Sequence, residues 1–148
     1  MLTIRRGRQS TTLGPGLVTV RHHGGHNPVK EVLYVALGGA VGSVGRYLVD
    51  RAYGARSVPV ATLTVNLVGS FLLGLLVGWL GDKVAPGLRL ALFTGLLGGF
   101  TTFSTFALET SVLMRSGESA SAVVYLVVSV AAGVGLAAVG LLAGESLA

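Results

Sequence analysis

Only 11% of the 148 residues are charged and 51% are hydrophobic, for a mean hydropathy of +0.75. Soluble domains carry about 25% charged residues, so that class is excluded. Glycine, at 23 residues, is about twice its usual ~7% share but keeps no Gly-X-Y period, which excludes collagen and points to closely packed membrane helices. The net charge is +5, and the absence of cysteine excludes disulfides, thiolate metal sites and cysteine nucleophiles.

Residues 1–30 hold Arg5, Arg6, Arg8, Arg21 and Lys30 among glycines, with no apolar run long enough for a signal peptide; they read as a basic, disordered N-terminal extension. This tail accounts for most of the net charge. Contact with anionic lipid explains it as well as nucleic acid would, and no nucleic-acid partner is expected. His22, His23 and His26 are metal-ligand types, but in a glycine-rich stretch without supporting groups they read as solvated. Residues 31–148 form the membrane domain.

Beyond the tail the charges leave uncharged windows of 14, 25, 19 and 26 residues, at 32–45, 57–81, 90–108 and 119–144. Three reach the ~18 residues a bilayer-spanning helix needs. The first reaches it by running through Arg46 to Val49, which leaves that guanidinium to snorkel to the headgroups or find a partner. The predicted fold is an all-α membrane protein with helices at 31–49, 60–80, 88–114 and 119–143. Pro28, Pro59 and Pro86 stand at or just before helix starts, where a missing N–H is tolerated. Tyr47, Tyr53 and Trp79 fall near span ends, as an interfacial aromatic belt requires. Gly38 with Gly42, Gly74 with Gly78, Gly95 with Gly99 and Gly140 with Gly144 offer small faces for close helix contact.

Four spans put both termini and the 81–87 loop on one side, and the 50–57 and 115–118 loops on the other. Near the span ends, Arg21, Lys30, Lys83 and Arg89 stand against Arg46, Arg51, Arg56 and Arg115, four to four; the outlying Arg5, Arg6 and Arg8 make it seven to four. A chain with so little bias can insert both ways. Two oppositely inserted copies would be related by a two-fold axis in the membrane plane. One short four-helix bundle fills its own middle, so a solvent path is more readily lined between two copies.

In the second span Thr62, Asn66 and Ser70 recur every four residues on one helical face, and Ser121, Tyr125 and Ser129 repeat the pattern in the fourth. Hydroxyls in membrane helices commonly bond back to their own backbone. A mid-span amide is costlier, and Asn66 reads as a pathway residue ahead of interhelical glue. Donors without fixed charge suit a small anion that must shed water and still leave.

The third span carries Gly95-Leu96-Leu97-Gly98-Gly99-Phe100-Thr101-Thr102-Phe103-Ser104-Thr105-Phe106, a poor run for continuous helix and the predicted position of a break. Carbonyls freed there are natural cation ligands, while Gly98 and Gly99 equally serve close helix approach. Phe103 and Phe106, three apart, share a face. Such a pair is usually core packing, yet rings interleaved with the Ser104 and Thr105 hydroxyls can turn their electropositive edges to an anion. Glu109 continues that face near the span's end, as a functional carboxylate or as the partner of a cation or a backbone group.

The run from Gly98 to Phe106, with Gly38-Gly39-Ala40-Val41-Gly42-Ser43-Val44-Gly45-Arg46-Tyr47 and Thr62-Leu63-Thr64-Val65-Asn66-Leu67-Val68-Gly69-Ser70, resembles the Fluc (CrcB) fluoride channels. The likeness covers about residues 31–143. It implies a dual-topology antiparallel homodimer with two pathways, passively conducting fluoride across the bacterial inner membrane to relieve its toxicity. It also implies a structural sodium ion on the dimer axis, held by backbone carbonyls that map onto Gly98 and Thr101. Phe103 and Phe106 match pathway phenylalanines, Asn66 the pore asparagine and Thr62 an associated polar position. Tyr125 and Ser129 match the polar track of the fourth span, Glu109 the family's carboxylate and Arg46 its vestibule arginine. Some relatives carry a further serine four residues beyond Ser129; here that position is Gly133. The basic tail matches no family feature.

The alternative is a small multidrug-resistance-type, proton-coupled exporter of cationic compounds, also a dual-topology four-helix design. It wants a carboxylate deep in the first span, where the sequence offers only Glu31 at the edge. A scaffold without conduction would leave the central donors unexplained. An enzyme is not expected, because the membrane portion has no histidine, no cysteine and no span with paired carboxylates.

Overall fold

The computed structural model describes residues 27–54 and 59–148, which are helical apart from short turns. The histidines at 22, 23 and 26 and the rest of residues 1–26 lie outside the described residues. Four segments are long and apolar enough to cross a bilayer: Pro28–Tyr53, Val60–Leu80, Pro86–Arg115 and Ser119–Ser146. The second has the bounds expected from the sequence, and the others run a few residues longer.

Helix α1 (Pro28–Tyr53) starts three residues before the predicted boundary because Asn27 caps it, its side-chain oxygen accepting from the N–H groups of Val29 (3.1 Å) and Lys30 (3.3 Å). Pro28 occupies the first turn, where its missing N–H leaves no ladder bond unmade. Helix α2 (Val60–Leu80) follows Pro59 and gives way to a single tight turn at Gly81–Lys83. The third span begins with a short helix, α3 (Pro86–Arg89), and widens over Leu90–Leu97 into π-type turns. A short helix α4 (Gly98–Phe100) follows, and then α5 (Phe103–Arg115). A turn through Gly117, at φ 84°, leads into α6 (Ser119–Ser146).

Between α4 and α5, Thr101 (φ −81°, ψ 160°) and Thr102 (φ −152°, ψ 118°) are extended. Gly98, in contrast, keeps right-handed helical dihedrals. The glycines are used for close approach: a Cβ at Gly99 would lie 2.7 Å from the Gly39 carbonyl oxygen, and one at Gly42 would collide with that of Leu96.

The spans pack as two close pairs, α1 against the π-type segment and α4, and α2 against α6. Glycines from both members make each contact. A Cβ at Gly38 would strike the Ala91 carbonyl, and one at Gly95 would come within 2.8 Å of the Val35 carbonyl. In the second pair a Cβ at Gly74 would strike the Ala137 carbonyl, one at Gly78 that of Leu141, one at Gly140 that of Phe71 and one at Gly144 that of Leu75. These are backbone-on-backbone contacts, the van der Waals packing that replaces hydrophobic drive between helices in lipid. All four small-residue faces read from the sequence are used inside one chain.

The cluster joining α5 to α6 is Phe106, Leu113, Ala122 and Tyr125, with Leu63 of α2 against it. Most other large apolar side chains point outwards. Val29, Val32, Leu33, Leu37, Val41, Val44 and Leu48 of α1 form one such surface, suited to acyl chains or to another apolar protein face.

Candidate functional site

The two extended threonines organise the site. With its backbone turned out of the ladder, Thr102 gives its N–H to Asn66 Oδ1 (2.8 Å), and Asn66 Nδ2 donates to the Thr102 carbonyl oxygen (3.0 Å). One side-chain amide of α2 thereby pairs with both backbone groups of Thr102, and a costly mid-membrane amide is satisfied in the same step. The Thr102 hydroxyl caps α5: it accepts from the Thr105 N–H (3.3 Å), lies 2.9 Å from Thr105 Oγ1 and 3.4 Å from Ser104 Oγ. Both rearrangements release carbonyls. The amides four residues beyond Gly98 and Thr101 are those of Thr102 and Thr105, so these two oxygens lack the donors a continuous helix supplies. Thr101 returns its own hydroxyl to the Leu97 carbonyl oxygen (2.9 Å).

Thr102 also lies between two open cavities of about 280 Å³ each. The first is lined by Arg46, Tyr47 and Asp50 of α1, Thr62 of α2, and Thr102 and Thr105, among others. The second is lined by Asn66 and Ser70 of α2 and by Gly98, Thr101, Thr102 and Phe103 of the third span, among others. The pair of hydrogen bonds between Asn66 and Thr102 is the joint between them.

Beneath the first cavity three helices meet at one carboxylate. Thr62 donates to Glu109 Oε1 (2.8 Å) and Tyr125 donates to Glu109 Oε2 (2.8 Å), tying α2, α5 and α6 together. The Phe106 ring is buried 5.3 Å from that of Tyr125 and 5.7 Å from that of Phe103, tilted by 58° and 54°. Phe103 itself is 79% exposed and reaches away from the chain's own core. Such tilted stacks direct ring edges rather than faces at neighbouring groups.

The residues singled out in the sequence therefore fall into connected groups. Arg46, Thr62 and Thr105 line the first cavity; Asn66, Phe103, Gly98 and Thr101 line the second; Glu109, Tyr125 and Phe106 form the layer between α5 and α6. Ser104 stands beside the Thr102 hydroxyl. Ser129 is apart from these contacts, its hydroxyl buried with no hydrogen-bond partner among the described residues. Sequence reasoning passed over Thr102 and Asp50. A threonine just before the Phe103–Arg115 helix is an N-cap signal, and it would have picked out Thr102. Asp50, the acidic residue that follows the first predicted span, carries no signal that it would line a cavity.

Residues 33–141 match the family model described as CrcB-like protein, Camphor Resistance (CrcB). The chain belongs to the CrcB family. Relatives agree along most of its length. The "Fluoride-specific ion channel FluC" of Allorhizobium ampelinum is 46% identical over 125 residues, covering 80% of this chain and 99% of that protein. The protein of the same name from Aquifex aeolicus is 44% identical over 121 residues, 78% of this chain and 98% of its own, and that from Methylobacillus flagellatus 43% over 109 residues, 70% and 85%. The resemblance read from the sequence is thus borne out. Every cavity-lining residue named above lies inside the CrcB-matched segment.

Proposed function

We propose that this chain is a fluoride channel, not an enzyme, that passively exports the ion across the bacterial inner membrane and so relieves its toxicity. The names of its relatives support the permeant ion. The observation that carries the reading is the pair of cavities meeting at the Asn66–Thr102 joint, furnished with amide, hydroxyl and ring-edge groups. Desolvating fluoride needs donors that replace water without binding so tightly that the ion stays. Asn66 and Thr105 bring such groups to the cavity walls, with Ser104 and Ser129 as further hydroxyls of the pathway; Phe103 and Phe106 supply ring edges, Tyr125 stacks on Phe106, and Arg46 stands beside Asp50 at one mouth. Glu109 accepts the hydroxyl protons of Thr62 and Tyr125 and so fixes these two side chains on neighbouring helices.

The functional unit in this reading is an antiparallel, dual-topology homodimer with two pathways. The near-even charge of the loops and the apolar outer surface of α1 support it. The exposed Phe103 ring supports it too, since a second copy would enclose it. The interruption at Thr101 and Thr102 is the functional break in the third span. The carbonyls of Gly98 and Thr101 fit a structural sodium ion, because both have lost their helical donors and uncharged oxygens suit a monovalent cation. Bound there, the ion supplies positive charge to the joint between copies. A cationic-drug exporter is less well supported: the α1 carboxylates, Glu31 and Asp50, stand near the helix ends.

Efflux of fluoride from proteoliposomes, followed with a fluoride electrode, tests the reading. Rapid fluoride loss with chloride retained is expected, and equal passage of both ions removes the selectivity claim. In the same assay Phe103→Ile, which keeps bulk but removes the ring edge, is expected to slow efflux by about tenfold or more, the worth of one good contact to a charged group. An unchanged rate would take Phe103 out of the pathway. Exchanging sodium for a larger cation is expected to weaken transport, and full flux with no ion bound in a structure of the dimer would count against Gly98 and Thr101 as its ligands.

A further inference from the structure

We infer that Ser70 is a further ligand of the permeating anion, a specificity-determining donor one helical turn beyond Asn66; the inference rests on the fluoride-channel reading above. Ser70 lines the same cavity as Asn66, Phe103 and Thr101. It sits four residues after Asn66 on α2 and so on the same face. An ion handed on from the Asn66 amide meets this position next.

Ser70 combines a place on this cavity wall with an unspent hydroxyl, whereas Ser129, also without a partner, is not on that wall. Thr64 donates to the Val60 carbonyl oxygen, Thr101 to that of Leu97, Thr110 to that of Phe106 and Ser111 to that of Ala107, the back-bonding that normally removes a membrane hydroxyl from service. Ser70 makes no such bond and no other hydrogen bond among the described residues, although it is partly buried in mid-helix. A hydroxyl kept off the backbone at that depth is costly unless something transient uses it.

The facing helix explains why this hydroxyl has to come from α2. Opposite Ser70, α6 carries Gly133, where an added Cβ would lie 3.8 Å from Ser70 Oγ, in ordinary van der Waals contact. Gly133 offers no side-chain donor, so at this level the cavity's hydroxyl is that of Ser70. The same spacing gives a way to return a hydroxyl to this spot: Gly133→Ser would start from an unstrained Cβ and place its Oγ beside the position of Ser70.

Full-length protein in liposomes, read with a fluoride electrode, tests this with four proteins. Wild-type efflux establishes the parent reading by itself, and its absence would remove that reading. Ser70→Ala is expected to slow fluoride efflux about tenfold, as loss of one hydrogen bond to an ion should, while its size-exclusion profile stays that of the wild type. Ser70→Ala combined with Gly133→Ser is expected to recover most of the rate, which a merely structural role for Ser70 would not produce. Ser70→Cys, close to isosteric with a weak donor, is expected to be slow as well and gives the reading if the alanine variant does not elute as folded protein. A conducting wild type with Ser70→Ala or Ser70→Cys at the same rate, or no recovery in the double variant, would overturn the role of Ser70 and leave the channel reading in place.

Discussion

Asn66→Asp should abolish measurable fluoride efflux, by a factor of about 100 or more, in protein that still elutes as the wild type does. The substitution changes one NH₂ to an oxygen at nearly constant volume. The bond from the Thr102 N–H to the retained oxygen, 2.8 Å in the native chain, survives. The opposite bond cannot, because Asn66 Nδ2 now donates to the Thr102 carbonyl and an aspartate oxygen would face that carbonyl with no proton between them. A carboxylate at the middle of a span costs ~2.5 kcal/mol or more, and it opposes any anion entering the cavity it lines. The three effects act together on the joint between the cavities. Efflux from proteoliposomes checks the rate, and wild-type speed in a folded variant would show that the joint lies off the conduction path.

Gly140→Ala should cost about 1–3 kcal/mol of stability, because its Cβ would collide with the backbone carbonyl of Phe71 in α2. Rigid backbone cannot give way as a side chain can, so α2 and α6 must separate along a contact that Gly74, Gly78 and Gly144 also close. Gly135→Ala on the same helix is the control, since a Cβ there meets nothing within 4 Å. Thermal unfolding of the detergent-solubilised protein should show a clear loss for the first variant and little change for the second. Equal melting would mean that the α2–α6 contact does not limit stability.

The parts of the fold that depend on exclusion of charge were legible in the sequence. Uncharged windows revealed three spans directly and the first once the window was carried through Arg46, because a bilayer enforces that pattern on any helix crossing it. The first boundary fell short because Asn27 lies beyond Glu31 and Lys30, where a hydropathy window has already ended and only capping chemistry speaks. The π-type turns of Leu90–Leu97 were not legible at all. Nothing in Leu-Ala-Leu-Phe-Thr-Gly-Leu-Leu separates an i+5 bond from an i+4 bond, and the wider winding appears only where this segment lies on α1.

Within the site, spacing revealed what one helix can show. Thr62, Asn66 and Ser70 share a face by arithmetic, and so do Phe103 and Phe106. The convergence of Thr62, Glu109 and Tyr125 from three helices has no local signature, because it depends on how α2, α5 and α6 are laid together. The lone hydroxyl of Ser129 was equally hidden, since a missing partner is a property of the surroundings and not of the residue.

The wide winding of Leu90–Leu97 has a consequence for how this chain can change length. A π-type turn holds about one residue more than an α-turn, so it behaves as a stored insertion. Deleting a single residue there would be absorbed by a return to regular winding, with Phe103 still facing the cavity it shares with Asn66. The same deletion in α2 or α6 would swing everything downstream by about 100° and bring glycine faces out of phase with their partners. Among the packed helices, a one-residue change of length should therefore be borne more easily in that stretch than in α2 or α6.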